Sequence, residues 1–361
     1  MKRLILCCDG TWNSADQQKD GRLTPTNVVK LAYRLAKRHG DVIQLIFYDQ
    51  GVGTGNAMDR FLGGAFGEGL VDNIYDAYRF LIANYEVGDE LYLFGFSRGA
   101  YTARSIGGMI RKCGILDREA VGQYVKAVEL YRKDTVHPDD TEAREFRSKY
   151  SVVGDQQIPI HFIGVWDTVG ALGIPLRGLR WLTRKKHQFH DTELSGSVLH
   201  ACHALAIDEH RGPFAPTLWC CVPKEGQTVE QVWFCGVHSD VGGGYPEVGA
   251  SDITLQWMME RARAVGLAFG ESLLTAHPLN RDPLKDLHNS KTGLYQLKPG
   301  LDRPMGLSAP KDGGQPEVTA PMDATQSIHA SVLERWDQEP RYRPKNLRDY
   351  FVRTGDARGR Q

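Results

Sequence analysis

Gly95-Phe96-Ser97-Arg98-Gly99 stands between the apolar run Glu90 to Phe94 and the segment Ala100 to Arg104, which continues as a helix. A serine projected from a sharp strand-to-helix turn sits on strained backbone, and the helix that follows packs close against its strand. Small residues are needed on both sides, and Gly95 and Gly99 supply them. The free N–H groups and positive dipole end of the helix behind Ser97 also suit an oxyanion. The pattern predicts a nucleophile elbow; its plainer reading is a glycine-flanked turn with an inert serine.

The elbow needs a strand before it and a helix after it, and the rest of the chain alternates in the same way. Runs rich in β-branched and aromatic residues recur at Arg3 to Cys8, Ile43 to Tyr48, Glu90 to Phe94, Ile158 to Trp166, Ala215 to Val222 and Val229 to Cys235. Helical spacing lies between most of them. Asn27 to Arg38 opens after Thr26 as N-cap, Gly69 to Asn84 sets Leu70, Ile74, Ala77, Phe80 and Leu81 on one face, and a further helix runs from about Val121 to Tyr131. This alternation predicts an α/β fold of the α/β-hydrolase type, a mostly parallel sheet with helices on both faces. We expect one domain over residues 1–361, with a charged surface excursion near 134–150 and a loop or lid-like region near 285–320. Ligands of such sheets bind outside the carboxyl ends of the strands.

Composition narrows the function. The 44 basic and 44 acidic side chains cancel, so nothing global draws the chain to nucleic acid or to an anionic membrane. One local patch, Arg177, Arg180, Arg184, Lys185 and Lys186 interleaved with Leu176, Leu179, Trp181 and Leu182, could make transient contact with a lipid surface or lie as a solvated helix face. Cys7, Cys8, Cys202, Cys220, Cys221 and Cys235 fall in or beside apolar runs and read as reduced core residues. With no C-x-x-C spacing, no structural zinc site is expected, and no cofactor. The apolar N-terminal run is too short for a signal peptide and no later run reaches transmembrane length, so a cytoplasmic protein is expected, with signal-independent export left open.

A serine hydroxyl is a poor nucleophile until an imidazole accepts its proton, and an acid must fix that imidazole's tautomer. Two later strand exits supply both groups. The run Ile158 to Trp166 ends at Asp167-Thr168-Val169-Gly170, and Val229 to Cys235 ends at Gly236-Val237-His238-Ser239-Asp240, followed by Val241 and three glycines. Ser97, Asp167 and His238 follow the Ser, acid, His order of α/β-hydrolases, with Ala215 to Val222 as an intervening strand. His329 is the rival base, although it looks set at a helix start; Asp208 and Asp240 are rival acids. His203 and His210, either side of Asp208-Glu209, read as a structural polar network. The oxyanion donors expected are the N–H of Arg98 and that of Gly10 or Thr11, on the first strand exit. Asp9 beside them would oppose an oxyanion if left unpaired, so it should bond into its loop or pair with Arg98 or Arg104. Asp9 with Asp240 as a hard-cation site is a further reading. Gly51-Val52-Gly53-Thr54-Gly55 lacks the lysine of a phosphate-binding loop and reads as a wall of the site, extended by Gly63, Gly64, Gly67 and Gly69.

With these residues in view, the chain resembles the α/β-hydrolase family associated with the catalytic domain of type VI secretion lipase effectors. The matching stretches are Cys8 to Asn13, Thr26 to Val28, Tyr48 to Gly53, Gly95 to Ala100, Trp166 to Gly170, His203 to Glu209 and Phe234 to Tyr245. The resemblance implies a Ser-Asp-His lipase or esterase, with nucleophile and acid at Ser97 and Asp167, and His238 as the matching base. Effectors that attack phospholipids carry membrane-associating regions beyond this core, for which the chain has little room. The expected function is therefore a metal-independent serine hydrolase of carboxylic esters, glycerophospholipids among its candidate substrates. A catalytically silent binding module on the same fold, or a metal-dependent hydrolase built on Asp9 and Asp240, are the alternatives.

Overall fold

The computed structural model describes residues 1–10, 13–19, 21–51, 65–169, 194–220, 222–292, 295–296, 299–310 and 314–360. Its strands are β1 (Lys2–Cys8), β2 (Gln18–Lys19), β3 (Arg22–Leu23), β4 (Arg38–His39), β5 (Val42–Asp49), β6 (Glu90–Phe96), β7 (Ile160–Trp166), β8 (Val198–Ala206), β9 (Thr228–Phe234) and β10 (Gln326–Ile328). Eight of them form one sheet in the order β10-β9-β8-β7-β6-β1-β5-β4, while β2 and β3 make a small separate pair. Within the large sheet only the β4–β5 pairing is antiparallel.

A parallel sheet buried on both faces calls for continuous apolar runs rather than alternation. Leu4, Leu6 and Cys8 of β1 pack on one side with Ile74, Tyr78 and Leu81 of the helix Ala65–Asn84 and with Ile106 and Ile110 of the helix Arg98–Cys113. Ile5 and Cys7 face the other way, toward Val28 and Leu31 of the helix Asn27–Arg34 and Leu255 and Met258 of the helix Gly249–Ala264. A third cluster forms beside β9, where Trp233 meets Met305, Trp336 and Phe351. The chain thus has the α/β-hydrolase-like architecture expected. Cys7, Cys8, Cys113, Cys202 and Cys235 are buried free thiols, whereas Cys221 lies outside the described residues.

Several elements differ from expectation for identifiable reasons. The described residues of Ala215 to Val222 form no strand: Pro216 lies within the stretch, Pro213 and Pro223 flank it, and proline cannot donate to a ladder. Its backbone is satisfied otherwise, with Trp219 N donating to Gln231 Oε1 at 2.8 Å and Thr217 N to the Thr168 carbonyl at 2.8 Å. The strand between acid and histidine is β8, which carries His200 and His203 and so lacks an obvious strand pattern. The first helix is capped by Thr26 as expected but stops at Arg34, because Leu35 turns extended and the chain enters β4. The charged excursion contains the helix Thr141–Tyr150, tied down by buried Arg147 on Asp155 (2.6 Å) and the Pro138 carbonyl (2.7 Å). Between 285 and 320 the described residues have little regular structure, yet Arg303, Met305, Leu307 and Ala309 are buried, so this part is an inlay of the core. The basic patch 177–186 and residues 52–64 of the glycine-rich wall lie outside the described residues. No helix among the described residues is long and apolar enough to cross a membrane.

Candidate active site

Ser97 sits between the end of β6 and the first turn of the helix Arg98–Cys113, at φ 58° and ψ −121°. Left-handed φ is unfavourable for a residue with a Cβ, and only one other non-glycine among the described residues adopts it: Asp167, at φ 38°. The two strained residues lie at the exits of adjacent strands. Ser97 N donates to the Trp166 carbonyl at 3.0 Å, and Asp167 N to the Ala204 carbonyl at 2.7 Å, so the ladder runs to the rim. The glycines of the elbow are required by space. A methyl group on Gly95 would stand 2.6 Å from Ala100 N, and one on Gly99 would stand 2.6 Å from the carbonyl carbon of Asp9. The first strand exit is equally close, since a Cβ on Gly10 would lie 3.3 Å from that of Ser97.

Asp167 Oδ2 lies 2.6 Å from His238 Nδ1. Arg303 grips the same carboxylate with both nitrogens, Nη1 to Oδ1 at 2.6 Å and Nη2 to Oδ2 at 3.0 Å, and Ala206 N donates to Oδ1 at 3.0 Å. Burial alone would raise the pKa of Asp167, but the charge of Arg303 and the hydrogen bond from His238 outweigh it and hold the carboxyl well below its usual range. An ionised carboxylate only accepts, so Nδ1 of His238 carries the proton and Nε2 is left as an acceptor.

His238 opens a short helix, His238–Gly242, directly after β9. Its ring lies between Phe96, the neighbour of Ser97 (4.6 Å between centroids), and Phe214 (5.0 Å). Its backbone N donates to Glu209 Oε2 at 3.3 Å. Glu209 is buried and also accepts from Arg211 Nη2 (2.8 Å) and Ser290 Oγ (2.7 Å); burial opposes its charge, but Arg211 holds its pKa below the ordinary value. Arg211 in turn stacks over Phe214 at 3.5 Å. The loop bearing His238 is thereby fixed from its backbone as well as from its ring.

The other candidates have different partners. His329 is the N-cap of the helix Ala330–Gln338, with Nδ1 3.2 Å from Ser331 N and its ring stacked on Phe234. His203 Nε2 accepts from Thr168 N at 3.1 Å; burial, with the charge of Arg104 adding to it, lowers its pKa to about 3. His210 lies against the Leu301 carbonyl at 3.2 Å. Asp208 accepts from Gly236 N (2.6 Å) and Tyr342 (2.9 Å), and burial lifts its pKa to about 6. The polar network expected around 203–210 therefore ties together the loops under the site. Asp240 accepts from Val237 N and pairs with His288 Nδ1 at 2.6 Å.

Asp9 accepts from Gly10 N (2.7 Å), Thr26 Oγ1 (2.8 Å) and Tyr48 (2.8 Å), and burial raises its pKa to about 6. It bonds into its own loop, as one expectation had it. The same contact corrects another: the Gly10 N–H, expected as an oxyanion donor, is taken up by the Asp9 carboxylate. Arg98 is the first residue of the helix Arg98–Cys113, directly after Ser97. Thr11 lies outside the described residues. For the cation reading, the described residues contain no group of three or more His, Cys, Asp or Glu that could hold a metal ion.

By architecture this is an α/β-hydrolase-like protein, with Ser97 and Asp167 at the exits of β6 and β7 and His238 in the turn after β9. Residues 2–261 match the model of the Tle1-like phospholipase effectors of type VI secretion systems, catalytic domain, and the chain belongs to that family. An uncharacterized protein of Saccharomyces cerevisiae is 30% identical over 243 residues, 62% of this chain and 33% of the yeast protein. A crystal structure of an uncharacterized protein from Pseudomonas aeruginosa is similar at a TM-score of 0.45 and 19% identity, over 74% of this chain and 46% of that one. The Tle1 effector bound to the VgrG spike from the type VI secretion system gives a TM-score of 0.38 at 19% identity, over 69% and 52%. The chain spans about a third of the length of the curated relative and about half of each solved chain.

Arg303 has no counterpart in the reading of the sequence. It comes from a stretch rich in glycine and proline without periodicity, where nothing marks one arginine as buried. Glu209 was legible as part of a polar network, but its hold on the His238 backbone depends on the three-dimensional turn after β8.

Proposed function

We propose that this chain is a serine hydrolase of carboxylic esters, glycerophospholipids among them, with Ser97 as nucleophile, His238 as base and Asp167 as the acid that orients it. Ser97 Oγ attacks the ester carbonyl carbon while His238 Nε2 takes its proton. The oxyanion is held by the N–H of Arg98 and by a second donor from the first strand exit. The tetrahedral adduct collapses, the ester C–O bond breaks, and the alcohol leaves with the proton returned by His238. Water, deprotonated by the same imidazole, then attacks the acyl-serine and releases the carboxylic acid. The observation that carries this reading is the 2.6 Å pairing of Asp167 with His238 Nδ1 at the rim where Ser97 stands on left-handed backbone. A phospholipid substrate, met at a lipid surface, rests on the family description.

The test is turnover of a short-chain p-nitrophenyl ester and of phosphatidylglycerol vesicles by wild type and Ser97→Ala. Loss of both activities in a variant that melts like wild type, by a factor of at least about 1,000, is the expected result. Turnover equal to wild type would remove Ser97 from the reaction, and a wild type inert toward both substrates would favour the binding module.

A further inference from the structure

We infer that Arg303 is a positioning residue of this site, a guanidinium that fixes the Asp167 carboxylate against His238 and is delivered by a segment beyond the span the family model matches. This rests on the triad reading above. Arg303 is 0% exposed, and so is Asp167. A guanidinium taken out of water carries a heavy desolvation cost that only a well-made set of acceptors offsets. Both terminal nitrogens of Arg303 have them, although its buried Nε does not: besides both oxygens of Asp167, Nη1 donates to the Ala206 carbonyl at 2.8 Å and Nη2 to the Phe214 carbonyl at 2.5 Å. These acceptors belong to the exits of β7 and β8 and to the loop whose Phe214 packs on the His238 ring.

The geometry defines what the fork does. A planar guanidinium bound through both terminal nitrogens to a carboxylate matches its plane and resists its rotation. Oδ1 is shared by Arg303 and Ala206 N, Oδ2 by Arg303 and His238, so the direction from Oδ2 to Nδ1 is set by the other three contacts. The charged groups facing the pair are few. Arg303 and His238 bear on Asp167 directly, His203 lies behind it with Arg104 beyond, and Glu209 with Arg211 sits under the His238 backbone. Without Arg303, burial would dominate and Asp167 would take up a proton at higher pH. The protonated acid would no longer hold His238 in its working tautomer.

The experiment is the second-order rate at which a fluorophosphonate labels Ser97, followed from about pH 5 to about pH 9 in wild type, Arg303→Gln and Arg303→Lys. In that reaction the Oγ–P bond forms, the P–F bond breaks, fluoride departs and the hydroxyl proton passes to His238. Arg335→Gln is the control for burial alone, since Arg335 is also buried near the C-terminus but donates to the Pro283 and Lys285 carbonyls rather than to Asp167. We expect the acidic limb of the Gln profile to move up by at least about one pH unit, with labelling near pH 7 slowed about tenfold or more. Lysine keeps the charge but not the fork, so its limb should stay close to wild type while its rate falls. A folded Gln variant with the wild-type profile would overturn the inference. Should the Gln variant fail to fold, a Lys variant labelled as fast as wild type at every pH would overturn it equally. If wild type itself takes no label, the hydrolase reading fails first, and the two failures are distinct.

Discussion

Asp167 Oδ2 and His238 Nδ1 meet at 2.6 Å although 71 positions separate them in the chain. Both sit at strand exits, one after β7 and one after β9, and the contact is buried: the ring of His238 packs on Phe96 and Phe214 while Asp167 is wholly enclosed. In such a setting the chemical identity of the partner at Nδ1 decides which imidazole nitrogen is left to accept a proton.

Asp167→Asn keeps the shape but places an amide against three donor groups, Arg303, Ala206 N and His238 Nδ1. One of its edges must face Arg303 with an N–H or give Nδ1 a donor, which selects the wrong tautomer. We expect ester turnover to fall by about 1,000-fold or more and stability to drop by about 3 kcal/mol, since Arg303 loses its counter-charge. Steady-state kinetics and chemical denaturation read the two effects separately. Wild-type turnover in the Asn variant would mean that Asp167 does not orient the base.

His203 gives the protein an acid sensitivity of definite sign. Its pKa falls from the ordinary 6.5 to about 3 because burial, and then Arg104, oppose the charged ring. The unfolded chain therefore binds more protons between these values, so this contribution to stability is full above about pH 6.5 and is lost as pH falls toward about 3. In His203→Gln the difference in unfolding free energy between about pH 7 and about pH 5 should shrink by roughly 2 kcal/mol relative to wild type. Urea denaturation at the two values measures it, and an unchanged difference would show that His203 is not kept neutral by the fold.

Two glycines of the same helix should respond oppositely to a methyl group. On Gly99 the new carbon would overlap the carbonyls of Cys8 and Asp9, backbone that cannot move without disturbing β1, whereas on Gly108 it would meet only Tyr131, at 3.8 Å. Gly99→Ala should cost about 3 kcal/mol or prevent folding, while Gly108→Ala should gain up to about 1 kcal/mol from helix propensity. Thermal melts of the pair decide the matter; equal melting temperatures would mean that the elbow has room for a side chain at Gly99.

The frame of the fold was legible wherever a strand was a continuous apolar run, as in those that end at Cys8, Phe96, Trp166 and Phe234. It was not legible at β8, where histidines at 200 and 203 interrupt the pattern, and it misled at 215–222, where aromatic and apolar residues lie between prolines that forbid a ladder. At the site, the pairing of Asp167 with His238 could be anticipated because each follows its own strand. The engagement of Gly10 N–H by Asp9 could not, since a carboxylate's choice between a neighbouring amide and a distant arginine depends on geometry. Arg303 escaped for the same reason: a lone arginine in a loop owes its burial to an acceptor set assembled from three other segments.

The most direct measurement is to expose the folded wild-type protein and Ser97→Ala to a fluorophosphonate and locate the adduct by peptide mass spectrometry. A single adduct on Ser97 in wild type, absent in the alanine variant and suppressed in His238→Ala, is the result we predict. No adduct on Ser97 in well-folded wild type, or labelling undiminished by loss of His238, would contradict the assignment of an activated serine at this elbow.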